Sequence, residues 1–342
     1  MKTLAPLLAA LSLAAAPAAF AQSAASGAVQ VAQATPPAPA ANDSGPAVTP
    51  AIPGVVAAGT RIELIKEGFN GTEGPTSLPD GSLIFTETNA ARITRIAADG
   101  GTSTFLGDSN GANGLALRPD GELYAVQVHQ TRVGIVHPPE KRRTLADQFE
   151  GKGFGRPNDL VVDKAGVVYF TDSGPNLRPG ESLPANINPP AVYRIGGDGK
   201  LSRIASGIER PNGIQLSPDE KTLYVANTNG EHILAFDIRA DGSLGPARNF
   251  ARLDGFRRNE QGTGSSGADG LAVDAEGRLY VASNPGIQVF SPSGAPLGTI
   301  ALPRQPQNLA FAGPGKNTLY VVGRGAAYRI ATLTAGYAGR NK

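Results

Sequence analysis

Three observations predict an all-β fold, a six-bladed β-propeller with four-stranded antiparallel blades. The chain is rich in helix breakers, one short phrase recurs six times, and each recurrence joins two apolar strands through turn residues. Gly (44) and Pro (28) make up about a fifth of the 342 residues, and only 18% are charged. Long surface helices need Ala, Glu, Lys and Leu blocks and tolerate few breakers, which excludes bundles, coiled coils and α-solenoids.

Residues 1–21 read as an export signal. Lys2 is followed by an apolar run from Leu4 to Ala16, and Ala19-Phe20-Ala21 supplies the small residues at a cleavage site. The apolar run is too short and too Ala-rich to span a bilayer, and no later segment is long enough. Cleavage after Ala21 and a periplasmic or secreted location are therefore expected. Residues 22–53 are almost wholly Ala, Pro, Ser, Gln and Gly. Such a segment buries too little apolar area to offset the entropy of ordering, so a linker is expected, with the propeller over 54–336.

From about Val55 onward the repeat takes over. Each phrase has a polar residue, a short apolar strand, a turn and a second apolar strand. The phrases begin at Glu73, Asn113, Asn158, Asn212, Asp269 and Asn308, spaced 40, 45, 54, 57 and 39 residues apart. Turns such as Pro79-Asp80-Gly81 and Pro119-Asp120-Gly121 supply the preset φ and local hydrogen bonds of a hairpin. The second strands of the phrases, such as Leu123–Val126 and Leu319–Val322, are near-continuously apolar, as expected between packed sheets. A period of about 40–50 residues with four strands per unit is the signature of a propeller blade. Third strands are placed at 91–96, 131–137, 191–195, 233–237 and 287–290. The segment 62–65 is expected to meet 327–332 in one blade and so close the ring, removing two open sheet edges. A doubly wound sheet lacks its amphipathic helices here, and a β-helix would have a shorter, stricter period.

Composition also bounds function. With 31 basic and 29 acidic residues, a formal +2, the chain lacks the concentrated positive field that nucleic acid requires. There is no Cys, hence no disulfide, thiolate metal site or cysteine nucleophile, and no Trp for a stacking platform.

The first residue of each phrase stands before the strand nearest the axis, so six side chains converge on one ring. They are two carboxylates and four amides, all oxygen donors. Hard cations, Ca²⁺ above all, take six to eight such ligands, and two carboxylates neutralise a divalent ion. Zinc and copper are disfavoured because neither His nor Cys falls on the ring. Asn and Asp also cap turns at strand starts. Six occurrences at one place in the repeat, with a Glu among them, favour the metal.

The motifs Glu73-Gly74-Pro75, Arg156-Pro157-Asn158-Asp159-Leu160, Tyr169-Phe170-Thr171-Asp172, Arg210-Pro211-Asn212-Gly213 and Ala268-Asp269-Gly270, in this order, resemble the SMP-30/gluconolactonase/luciferin-regenerating family, especially its exported bacterial gluconolactonases. The resemblance runs from about Val55 to Ile330. It implies Ca²⁺-dependent hydrolysis of a sugar-type lactone to the aldonic acid, with other divalent cations able to substitute. It implies one ion held by Glu73, Asn158, Asn212 and Asp269, with Asp269 also activating water and Arg156 contacting a substrate oxygen. It does not imply that Asn113 and Asn308 ligate directly. Asn113 and Asn308 are expected behind the ligands or facing solvent, Asn113 then being a substrate contact beside Arg156. Asp159 either orients a ligand from behind or caps the turn. The expected partner is a small lactone, taken by a monomer with no membrane span. This chain departs from many bacterial members at Asp172-Ser173-Gly174-Pro175-Asn176, where they read Asp-Pro-Pro-Tyr-Gly. The loop from there to Pro190 is expected to overhang the channel mouth. Alternatives are a phosphotriesterase-like hydrolase in the same site and a non-enzymatic binding propeller with structural Ca²⁺.

Other motifs fail on context. Gly107-Asp108-Ser109-Asn110-Gly111 fits a nucleophile elbow but precedes a strand rather than a helix. Gly262-Thr263-Gly264-Ser265-Ser266-Gly267 fits a dinucleotide fingerprint but also leads into a strand, which leaves it as a loop at the channel rim. Of three histidines, only His129 is a candidate to line the site, as the resemblance implies, the alternative being a structural role. The pairs Arg142-Arg143 and Arg257-Arg258 read as solvated loop charges.

Overall fold

The computed structural model describes residues 47–342 except 179 and 261, so the predicted signal peptide and linker residues 22–46 lie outside the described residues. Strands account for nearly all of its regular structure, with three short 3₁₀ turns. They form six four-stranded antiparallel sheets, as the repeat predicts. Blade 1 holds strands Thr72–Ser77, Leu83–Glu87, Arg92–Ile96 and Thr102–Leu106; blade 2 holds Ala112–Leu117, Leu123–Gln127, Arg132–His137 and Arg143–Ala146. Blade 3 holds Pro157–Val162, Val168–Asp172, Ala191–Ile195 and Leu201–Ser206; blade 4 holds Pro211–Leu216, Thr222–Asn227, His232–Asp237 and Arg248–Arg252. Blade 5 holds Leu271–Val273, Leu279–Ser283, Gly286–Phe290 and Pro296–Ile300. Blade 6 joins Asn308–Ala312, Thr318–Gly323 and Ala326–Ala331 to Glu63–Glu67. That last pairing, Glu63 opposite Arg329 and Glu67 opposite Ala326, closes the ring with the two ends of the repeat region.

The first strand of each blade packs against the first strand of the next, all the way round. One apolar cluster fills each of the six seams between blades. Between blades 2 and 3 it centres on Phe154, Phe170 and Tyr193, with ring centroids 5.1–5.4 Å apart. Each fully buried Phe or Leu of this kind contributes about 1.5–3 kcal/mol, so rigidity is spread round the ring.

Two boundaries differ from expectation. Residues 47–53, assigned to the linker, belong to the folded unit: Val48 bridges Arg61, and Ile52 with Val55 and Val56 fills the seam of blades 5 and 6. The buried Ile52, packed with Val55 and Val56 just beyond the segment, outweighs the Ala/Pro composition around it. At the other end the last strand stops at Ala331, and residues 332–342 cross one face of the ring rather than trailing from it.

Candidate metal centre

Every ring residue sits at or just before the start of an inner strand, and the local backbone re-aims it. Blades 1 to 4 each carry a β-bulge there, with register shifts between Glu73 and Thr76, Ala112 and Leu115, Pro157 and Leu160, and Pro211 and Ile214. A bulge adds a residue to one strand and turns a side chain out of the sheet's alternation, here toward the axis. In blade 5 the inner strand is cut to Leu271–Val273, and Asp269 is held by its N–H to the Ala282 carbonyl at 2.9 Å.

Consecutive ring residues touch because glycine follows most of them. A Cβ on Gly74 would lie 1.9 Å from the Asn113 carbonyl oxygen, and one on Gly213 would lie 2.1 Å from that of Asp269. Gly114 likewise lies against Asn158 and Asp159, and Gly270 against Asn308. Asn308 Nδ2 then donates to Glu73 Oε2 at 3.1 Å, which joins the last blade to the first. Thr171 Oγ1 donates to the Asn212 carbonyl at 2.6 Å across the seam of blades 3 and 4. The ring is thus continuous.

Within it the side chains divide sharply. Asp269 Oδ1 is buried and has no hydrogen-bond partner. The Asn158 side chain makes no hydrogen bond to another described residue, whereas Asn212 Nδ2 donates to Thr228 Oγ1 at 3.0 Å. Glu73 accepts from Asn308 and, at 3.4 Å, from Gln307. Asn113 differs from expectation: its Nδ2 donates to the Asn158 carbonyl at 2.8 Å and its Oδ1 accepts from Thr88 at 3.1 Å. At 1% exposure its amide serves the scaffold rather than facing a substrate.

Electrostatics bring the same groups together. Burial pushes the Glu73 carboxyl up to about 7, and the charge of Asp159 adds to the rise against the pull of Asn308 and Arg156. Asp269 is raised well above its ordinary value, first by burial and then by the charges of Glu73 and Asp159, with Arg324 and Arg156 opposing. Buried carboxylates that raise one another's pKa mark a place where a cation lowers the energy. Among the described residues no cluster of three or more His, Asp or Glu side chains is placed to hold a metal ion. The Glu73, Asn158, Asn212 and Asp269 set has only two such members, its other donors being amides. An orphaned buried carboxylate oxygen among hard neutral donors fits a hard cation.

The other residues that the sequence singles out differ in their surroundings. Arg156 is half-buried beside the centre, and its backbone N–H is fixed by Asp172 Oδ1 at 2.6 Å. Asp172 also accepts from Gly155 and Gly174, so the aspartate after which this chain diverges from many bacterial members anchors the arginine. Asp159 accepts from Lys342 Nζ at 2.6 Å and from the Leu160 N–H. His129 is exposed at the end of blade 2's second strand. Arg257 and Arg258 are exposed on a two-stranded hairpin with Gly264 and Ser265.

Residues 71–324 match the family described as SMP-30/Gluconolactonase/LRE-like region. The chain belongs to this family. A gluconolactonase from Zymomonas mobilis subsp. mobilis is 32% identical over 310 residues, covering 84% of this chain and 86% of that protein. The pentonolactonase XacC of Haloferax volcanii is 23% identical over 257 residues, 74% of this chain and 81% of its own. A solved structure from Xanthomonas campestris, described as a gluconolactonase, superposes with a TM-score of 0.71 at 26% identity, covering 85% of this chain and 96% of that one.

Of two residues that sequence reasoning passed over, one stands by the loop expected at the mouth and the other reaches the channel from the opposite face. Arg210 repeats the position of Arg156, two residues before a ring Asn, and donates to Asn176 Oδ1 at 2.8 Å in the loop expected to overhang the channel. The shared Arg-Pro-Asn triplet of blades 3 and 4 was the available signal. Lys342 is the other, and no sequence pattern marked it.

Proposed function

We propose that this protein hydrolyses a sugar-type lactone to its aldonic acid in a Ca²⁺-dependent reaction at the ring. It is a lactone-hydrolysing enzyme of its family: relatives over most of its length are named gluconolactonase and pentonolactonase. The observation that carries the metal reading is Asp269 Oδ1, buried without a partner beside Glu73. Glu73, Asn158, Asn212 and Asp269 would hold the ion. Bound there, Ca²⁺ would supply Lewis acidity to a lactone carbonyl.

The chain's own groups do the rest. Asp269 takes a proton from a water as that water's oxygen bonds to the carbonyl carbon. Cleavage of the ring C–O bond then frees an alkoxide, and return of that proton leaves a hydroxy acid. Arg156 holds a substrate oxygen from the mouth, its backbone fixed by Asp172. Asn308 fixes Glu73 from the neighbouring blade. The site would act outside the cytoplasm after cleavage at Ala21, a point that N-terminal sequencing of the exported protein checks.

The test is acid release from glucono-1,5-lactone and pentonolactones, with and without EDTA and with Ca²⁺ added back. Turnover should rise above buffer, vanish with chelator and return with Ca²⁺. No rate on any lactone in Ca²⁺ defeats the hydrolase reading, and a rate indifferent to EDTA defeats the metal reading. A paraoxon-type substrate run alongside separates the phosphotriesterase alternative.

A further inference from the structure

The segment after the last strand does more than end the fold. It crosses the face where the inner strands finish, opposite the ring residues that begin them, and it touches all six blades. Thr76 of blade 1 donates to the Asn341 carbonyl at 2.6 Å, and the Leu117 N–H of blade 2 donates to the same oxygen at 3.3 Å. Arg340 donates to the Leu216 and Ser217 carbonyls of blade 4 at 2.5 and 3.2 Å. Tyr337 N–H donates to Val273 of blade 5, and Gly336 N–H to Lys316 of blade 6. Lys342 reaches blade 3: its ammonium lies 2.6 Å from Asp159 Oδ2 and 2.8 Å from the Ile214 carbonyl, with both side chains of the ion pair essentially sealed from solvent at 2% and 1% exposure.

We infer that Lys342 is a positioning residue for the metal centre, a built-in monovalent cation that cancels Asp159 and leaves the ring with the two negative charges a divalent ion needs. Three carboxylates act on this part of the channel: Glu73 and Asp159, both buried, and Asp269, whose Oδ1 is buried. Asp159 comes directly after a ligand-set residue, yet its oxygens are spent on Lys342 and on the N–H groups of Leu160 and Ile214. Uncancelled, it would make the channel carry three charges. Unmatched, Lys342 would leave only one. In a low-dielectric channel a single uncompensated charge several ångströms away changes cation affinity by an order of magnitude or more.

This inference rests on the metal reading above, and the experiment separates the two. Calorimetric titration of the full-length mature protein with Ca²⁺ is compared for wild type, Asp159→Asn and the double variant Asp159→Asn/Lys342→Met. Asp159→Asn should raise Kd at least about tenfold, because the ammonium is then unmatched beside the ring. The double variant removes both charges and should return Kd to within about threefold of wild type. A simple structural pin would not produce that recovery. A double variant as weak as Asp159→Asn overturns the inference, since Asp159 would then act on the ion by itself. So does an Asp159→Asn protein that binds like wild type. Absence of Ca²⁺ binding by the wild type defeats the metal reading and this inference with it, whereas the other two failures leave that reading standing.

Discussion

The two ends of the channel use aspartate for opposite purposes. At the end where the inner strands begin, Asp269 keeps a buried oxygen with no partner. Toward the other end, Asp159 is buried as a whole, where Asp269 is half-buried, and it accepts from an ammonium and two backbone N–H groups. Burial of an unpaired carboxylate oxygen is costly, so the end that carries Asp269 is where a cation would lower the energy, whereas Asp159 is already satisfied. The contrast also separates what holds the ring together from what the ring is for.

Substitutions at the two ends should therefore have opposite signatures. Asp269→Asn should reduce kcat by roughly 10³-fold, within the range for loss of a general base, while raising the melting temperature of the metal-free protein, because an orphaned carboxylate is gone. Steady-state lactonase kinetics and thermal denaturation in EDTA check both halves. Gly213→Ala tests the shape of the functional end. Its Cβ would sit 2.1 Å from the Asp269 carbonyl oxygen, and the displacement should lower kcat by about 10²-fold, as misplacements near 1 Å do. A fully active Gly213→Ala protein would show that the blade contact is not what positions Asp269. Lys342→Met tests the closed end, where stability should fall by about 3–5 kcal/mol because Asp159 is left buried and unpaired. That corresponds to a melting point lower by roughly 5–8 °C in a chain of this size. Thermal melts should show most of this loss recovered in Asp159→Asn/Lys342→Met.

The smallest effect concerns pH. In the metal-free protein Glu73 binds its proton up to about 7, against 4.5 for the ordinary carboxyl. A raised carboxyl pKa stabilises the fold below the unfolded value and loses that contribution as pH rises through the folded one. Melting temperature in EDTA should thus fall between pH 4.5 and 7 through this group, and Glu73→Gln should flatten that slope. Calcium uptake below about pH 7 should release protons, which titration in buffers of different ionisation enthalpy measures.

The placement of the ring residues at the inner strands was legible in the sequence, because a repeat indexes position. Once Glu73, Asn113, Asn158, Asn212, Asp269 and Asn308 occupy one place in six phrases, their common level follows from the rotational relation of the blades. The closure of the ring by residues near 63 and 327 came from the same counting. Asn113 shows the limit of that index. It shares the ring position, but the turn of its amide toward Thr88 and the Asn158 carbonyl is decided by neighbours in two other blades. The glycines after the ring residues were in plain view, yet their purpose depends on a carbonyl one blade away. The closed end was not legible at all. Residues 332–342 have no periodicity, and the Lys342–Asp159 pair spans 183 residues of sequence. Much of the segment's hold relies on backbone carbonyls, its own or those it reaches, which carry no residue identity. Residues 47–53 were hidden similarly, with the buried Ile52 set in an Ala/Pro-rich stretch.

A crystal structure of the protein grown with Ca²⁺ tests the central claim most directly. The account predicts one ion with oxygens of Glu73, Asn158, Asn212 and Asp269 at about 2.3–2.6 Å, including the Asp269 oxygen that now has no partner. An ion bound elsewhere, or a ring that excludes calcium at saturating concentration, would contradict it.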